Sequence, residues 1–252
     1  MCKASSQGVW TWQRLIEPIK IDQSNSSICD PSSEHHPMAG AIASKQQLYA
    51  IYMIRQSPAP SKVICAEADI SSFGYFIRSS ISEGFQFSSL TLAERTSPGT
   101  RASMNGSSKD KDLYTTIFFH CYTTAEGLSC VVVAEEAYPV RVAYSLINKA
   151  LEEFSKSYSK SIWSCNTSVR LTCPGLKMLL QKYRDPNEAD PVLKVQKELD
   201  ETKIVVHQTI EKVLERGERL DDLVNKSEQL SGLSRAFYKD AKKSNACCSY
   251  FA

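Results

Sequence analysis

The residues of this 252-residue chain whose types and spacing most directly suggest chemistry are its cysteines, at positions 2, 29, 65, 121, 130, 165, 173, 247 and 248. Nine is an odd number, no two are set as C-x-x-C, and the four histidines add no metal-ligand spacing. Neither a disulfide framework nor a zinc site is indicated, and reduced thiols in the cytosol fit the pattern. His120 and Cys121 are adjacent and suggest the base and nucleophile of a cysteine hydrolase. They lie on a strand-like run, where neighbours point to opposite faces, so they cannot readily form that pair. His207, beside Val206, reads as a solvated flank, and no phosphate-cradling glycine loop is visible. No catalytic residue, metal or cofactor is expected.

Composition narrows the class further. The chain carries 30 Lys and Arg against 28 Asp and Glu, a net charge of +2, which supplies no basic field for nucleic acid. Unbroken apolar runs such as Cys130 to Ala134 are far shorter than the roughly 20 residues of a spanning helix. Met1 to Lys20 carries Glu17 and has no continuous apolar core, so a secretory signal is not expected.

The elements that position these residues begin after an irregular, Ser-rich extension over 1–45, which contains Trp10 and Trp12 and leaves open whether Met1 or Met38 begins the working protein. Apolar runs at Leu48 to Ile54 and Val63 to Ala66 flank a proline turn and predict a hairpin. Asp69 can cap a helix through Phe73, Phe76, Ile77, Ser80, Ile81, Gly84 and Phe87, ending near Pro98-Gly99. Leu113 to Tyr122 and Leu128 to Ala134 predict a second hairpin. Beyond Pro139 the stripe Ala143, Leu146, Ile147, Ala150, Leu151, Phe154 and Tyr158 is helical, and a shorter helix runs through Leu176, Leu179, Leu180 and Tyr183. The order ββαββαα over 46–185 is an α+β domain with helices on an antiparallel sheet. A linker over 186–191 follows, in which Asp190 can cap a new helix with Pro191 at its first position.

From there one register holds without a break. Steps of three and four run through Val192, Val195, Leu199, Thr202, Val206, Thr209, Val213, Arg216, Leu220, Leu223, Ser227, Leu230, Ser234, Phe237, Ala241 and Ser244. Ten of these sixteen positions are apolar, five are small hydroxyl residues and one is charged, where the local charge density would place about six. As a helix of about 1.5 Å per residue the 53-residue span would be a rod of roughly 80 Å, too long to pack alone on so small a domain. It needs partner helices. Periodicity alone is compatible with a coiled-coil oligomerisation rod, or with a helix partly folded back on its own domain. Arg216 on the seam alters that balance, since an unpaired buried guanidinium costs several kcal/mol. Like arginines would repel in a homo-oligomer, whereas side-chain carbonyls from different helices can satisfy its five donors.

The runs Leu199-Asp200-Glu201-Thr202 and Val213-Leu214-Glu215-Arg216-Gly217-Glu218-Arg219-Leu220-Asp221-Asp222-Leu223 resemble the motif of the R-type, synaptobrevin-like SNAREs. The module before them resembles a longin domain, profilin-like in architecture. With paired terminal cysteines in place of a membrane span, residues 46 to 248 are similar to the lipid-anchored longin R-SNAREs of the Ykt type. That resemblance makes 192–246 an R-SNARE motif, with Arg216 as the central ionic layer and the other seam residues from Val192 to Ala241 as core layers. It implies three Q-SNARE helices (Qa, Qb and Qc) as partners, each offering a glutamine to Arg216, disassembly by SNAP/NSF-type machinery, and membrane fusion in vesicle transport. It also implies a longin module that folds back on the motif through Phe87, and a peripheral location on the cytosolic face of Golgi, endoplasmic reticulum, endosomal or vacuolar membranes.

In the resembling proteins the tail, here 247–252, carries covalent lipids, palmitoyl on the first cysteine, Cys247, and an isoprenoid on the second, Cys248. One lipid holds a protein to a membrane marginally and two hold it stably. A C-a-a-X box needs cysteine fourth from the end, yet Ser249 stands there and Cys248 is fifth. Without Ala252 the ending would fit. The remaining alternative function is a passive coiled-coil membrane tether.

Overall fold

A computed structural model describes residues 48–57, 59–106, 117–165, 170–186, 204–236 and 238. The N-terminal extension, seam positions Val192, Val195, Leu199, Thr202, Phe237, Ala241 and Ser244, and Cys247 and Cys248 lie outside the described residues. The elements are β1 (Leu48–Arg55), β2 (Lys62–Ala68), α1 (Arg78–Arg95), β3 (Arg101–Asn105), β4 (Ile117–Thr123), β5 (Leu128–Glu135), α2 (Val140–Ser157), α3 (Lys160–Trp163), α4 (Pro174–Lys182), β6 (Ile204–His207) and α5 (Leu220–Lys226).

The six strands form one sheet in the order β2-β1-β5-β4-β3-β6. All neighbours are antiparallel except β3 and β6, which run parallel, so the sheet is mixed. Its centre is β5, flanked by β1 and β4 and covered on both faces. That position accounts for the uninterrupted Cys130 to Ala134 run: Cys130, Val132 and Ala134 pack with α2 and α4, while Val131 and Val133 pack with α1.

The stripe read for the longest helix is the one that is buried. Ala143, Leu146, Ile147, Ala150, Leu151 and Phe154 of α2 all lie in the core with Leu176, Leu180 and Tyr183. The opposite face is built differently from the expectation. Asp69 does not cap α1; its carboxylate accepts the Ser71 N–H at 3.2 Å and the Ser71 hydroxyl at 2.5 Å, closing a local turn. A 3-10 turn over Tyr75–Ile77 precedes the helix. Phe76, within that turn, is 91 % exposed, while Phe73, Ser80 and Ile81 of the expected stripe are buried; Phe85, Ser89, Leu92 and Ala93 continue the inward face, with Gly84 and Phe87 half-buried.

Two elements were not evident in the pattern. The strand β3 (Arg-Ala-Ser-Met-Asn) has no β-branched or aromatic residue, and it is a strand because β4 pairs with it along its whole length. The single turn α3 seats Trp163 in the α2-side core. The α+β class stands, with the order ββαβββααα before the linker in place of ββαββαα.

Across β3 and β4 a polar chain is sealed inside the protein. Ser103 sits opposite His120, its Oγ 2.8 Å from His120 Nδ1 and 3.0 Å from the Tyr144 hydroxyl, which donates to the Ala102 carbonyl at 3.0 Å. Burial pushes His120 down from 6.5 to about 4, so the ring is neutral. Because the unfolded chain takes up this proton near pH 6.5 and the folded chain only near pH 4, stability is intact above pH 6.5 and declines as pH falls between the two. We expect urea unfolding to lose about 2 kcal/mol between pH 7 and pH 4.5 through this group. His120→Gln should flatten that slope; an equal slope in the variant would count against the assignment.

Candidate functional site

The seam segment does not stand away from the domain. It enters as β6, pairing with β3 from Arg101↔Ile204 to Met104↔His207, so it occupies the edge that β3 would otherwise leave open. A 3-10 turn over Ile210–Lys212 then drops Val213, 5 % exposed, into the apolar cluster beneath α1, with Ile210 packed beside it. After a turn at Arg216-Gly217 the chain runs through α5 and a further helical stretch over 232–236.

Two charged residues of α1 hold this path. Near the start of the helix, Glu83 accepts the Ser231 amide at 2.8 Å and the Ser234 hydroxyl at 2.7 Å on one carboxylate oxygen. Partial burial works to raise the Glu83 carboxyl, but the Ser231 amide, the Ser234 and Ser231 hydroxyls and that of Ser79 hold it below the usual glutamate range. At the last residue of the helix, Arg95 Nη2 lies 2.8 and 2.9 Å from the two carboxylate oxygens of Glu218. Glu218 also accepts the Glu215 amide at 3.0 Å, and its carboxyl is lowered chiefly by the Arg95 hydrogen bond. Since the early contact on the segment meets the end of α1 and the later ones meet its start, the segment runs antiparallel to α1.

The seam is therefore covered in part. Of its nine described positions Thr209, Val213, Ser227, Leu230 and Ser234 are buried, Leu220 and Leu223 are half-buried, and Val206 and Arg216 are exposed. The expectation of one long helix does not hold for the chain by itself: among the described residues the seam is broken into a strand, a 3-10 turn and short helices. The physical reason is that a lone amphipathic helix has nothing to bury its stripe against, whereas β3 offers an unpaired edge and α1 an apolar flank.

Phe87, expected as a regulatory contact, is half-buried on α1, while its neighbour Phe85 is in the core and meets Phe119 edge-on at 6.0 Å between ring centres. His120 and Cys121 point apart as strand neighbours must: His120 meets Ser103 and Tyr144, and Cys121 lies in the α1-side cluster, its thiol pushed up by burial to about 12. An inert buried thiol and a neutral buried imidazole on opposite faces form no reactive pair. What the arrangement does is mechanical, since it holds a seam of side chains against the domain. The residues that hold it, Glu83, Arg95, Glu218 and Ser231, have no local spacing to betray them; they are ordinary polar positions that meet across 123 and 148 residues.

A family model described as synaptobrevin matches residues 191–248, and one described as a regulated-SNARE-like domain, the longin model, matches residues 70–178. The synaptobrevin homologue ykt6 of Schizosaccharomyces pombe is 46% identical over 202 residues, covering 80% of this chain and 98% of that protein. Synaptobrevin homologues YKT6 of Eremothecium gossypii and Saccharomyces cerevisiae are 44% and 42% identical over 204 residues, with the same coverage.

The Glu83 contacts can be tested directly. Hydrogen bonds to a charged acceptor contribute about 1.5 to 3 kcal/mol when well formed, less at a partly exposed site. Glu83→Ala should speed tryptic cleavage after Arg235 by about tenfold, and Glu83→Gln, which keeps an acceptor, by much less. Equal cleavage of both variants and the unmodified chain would remove Glu83 as a holding group.

Proposed function

The chain belongs to the longin-domain R-SNAREs of the Ykt6 type, and on that premise we propose that it zippers with Qa-, Qb- and Qc-SNARE helices to drive fusion of transport vesicles, restrained until then by its own longin module. Proteins of this family are SNAREs, not enzymes, and need no cofactor; their partners are other SNARE helices. The observation that carries the proposal is the double use of one set of side chains. Thr209, Val213, Ser227, Leu230 and Ser234 are buried in the lone chain, and the same residues are core layers in the register of the motif. They cannot be held by the domain and by partner helices at once, so closure and zippering compete.

Arg216 fits the central ionic layer. It is exposed in the folded-back chain, where water satisfies its donors. In a bundle the flanking Val213 and Leu220 layers would surround it with hydrocarbon, and one glutamine from each of three helices would supply the acceptors. Disassembly by SNAP/NSF-type machinery would return the chain to its folded-back form, and Phe87 would contribute the aromatic contact that favours closure.

Membrane-associated trafficking compartments are the setting of the family, and no helix among the described residues is long and apolar enough to cross a membrane. We assign attachment to palmitoyl on Cys247 and an isoprenoid on Cys248, with Lys242 and Lys243 adding about 1 kcal/mol each toward an anionic leaflet. The surfaces served are the cytosolic faces of Golgi, endoplasmic reticulum, endosomal or vacuolar membranes, the route between endoplasmic reticulum and Golgi among them.

Full-length protein mixed with three candidate Q-SNARE helices should gain helix cooperatively, which circular dichroism follows. Arg216→Glu places a carboxylate against glutamine carbonyls and should destabilise that assembly by about 3 kcal/mol or more. Unchanged melting, or helix gained by this chain alone, would favour the passive tether instead. Mass spectrometry of the native carboxyl-terminal peptide should find an isoprenoid on Cys248, and a bare peptide would withdraw the anchor.

A further inference from the structure

The turn that joins the two halves of the folded-back segment depends on a backbone conformation that the zippered form forbids. Gly217, next to Arg216, has φ of +95°, in the left-handed region, and a Cβ placed on it would meet no atom within 4 Å. The requirement for glycine there is therefore one of backbone conformation and not of space. The turn also delivers Glu218: its amide donates to the Glu215 carbonyl at 3.1 Å, and its carboxylate returns to the Glu215 amide at 3.0 Å while reaching Arg95. A helix running unbroken through Val213, Arg216 and Leu220 instead needs φ near −63° at 217, where glycine is the poorest non-proline residue.

We propose that Gly217 is a backbone switch, its missing side chain setting the balance between the folded-back and the helical form of the segment. The proposal rests on the reading of that segment as a SNARE motif held by the longin module. An L side chain at 217 opposes the left-handed turn and favours the helix, and both effects push toward release. Together they shift the equilibrium by roughly thirtyfold for alanine. Asparagine, which tolerates the left-handed region, shifts it by only about threefold. Position 217 thus biases the fate of the motif without any contact of its own.

Hydrogen exchange of residues 204–236 in the full-length protein reads this balance. Gly217→Ala should exchange roughly tenfold faster than the unmodified chain, up to the unprotected limit, because only the left-handed cost acts before partners bind, and Gly217→Asn far less. Gly127→Ala, which alters a glycine at φ +82° in the β4–β5 turn, should leave the segment's exchange unchanged. Alanine no faster than asparagine at 217, or the same acceleration from Gly127→Ala, overturns the proposal. So does a Gly217→Ala chain that gains less helix than the unmodified one with Q-SNARE helices, since the switch predicts at least as much. An unmodified segment with no protection at all overturns the longin-held reading along with the switch, whereas a protected segment indifferent to Gly217→Ala overturns the switch alone.

Discussion

The constraint on which the rest of the structure turns is the need to keep a long stripe of apolar and small side chains out of water. Sixteen seam positions carry one charge, and no surface of a free helix can hide them. The domain answers with two features it already has. The edge strand β3 presents unpaired backbone groups, which β6 takes up, and the α1-side cluster has room for Val213. Burial of the seam is thus achieved by breaking the helix that the seam's own periodicity encodes. Under the proposed function two incompatible structures share one sequence, and the choice between them would be made by what lies alongside.

The grip on the segment is graded. The apolar anchor is small, with Val213, Leu230 and the adjacent Val224 the deeply buried hydrocarbons of the segment among the described residues. The remaining hold is polar: a glutamate accepting two serine donors, and an arginine beside a glutamate whose side chains are 16 % and 31 % exposed. Interactions of this kind fix register but contribute little each when water reaches them. A bundle that buries every layer at once would outweigh them, whereas a chance encounter with one helix would not. Leaving Arg216 exposed in the folded-back form avoids desolvating a charge whose acceptors would come only with the proposed bundle.

Much of this was legible from residue pattern, and where it failed the reasons are physical. The α2 stripe and the doubly buried β5 run were read correctly because tertiary contacts reinforce the local period. The expected α1 stripe holds at Phe73, Ser80 and Ile81; it fails at Phe76, which lies within the 3-10 turn Tyr75–Ile77, and past Ile81, where Phe85, Ser89 and Leu92 take the core in place of Gly84 and Phe87. The strand β3 escaped because its residues have no strand preference and acquire the conformation from neighbours distant in sequence. On the segment, the seam and its single arginine stood out at once, yet the same heptad logic gave a continuous rod. Periodicity reports what a segment can bury against a helical partner, not what it does without one. The holding residues Glu83 and Arg95 had no signature, since a hydrogen bond across 148 or 123 residues leaves no local pattern.

In the proposed cycle the strand that receives the segment must survive its departure, and the buried polar chain would supply the means. β3 is tied to the opposite face of the sheet: the Tyr144 hydroxyl of α2 donates to the Ala102 carbonyl, and Ser103 bridges Tyr144 and His120. Arg101 adds its guanidinium over the rings of Tyr122 and Tyr144, at 5.0 and 5.7 Å. None of these contacts involves β6. An edge strand of five residues with poor strand propensity would otherwise fray once its outer neighbour left. Anchored from α2 and β4, it would remain a formed edge in the proposed open form and keep the template for closure. The neutral, sealed His120 is in this view a structural group, and the absence of chemistry at His120 and Cys121 follows from the same burial that makes β3 a durable receiver.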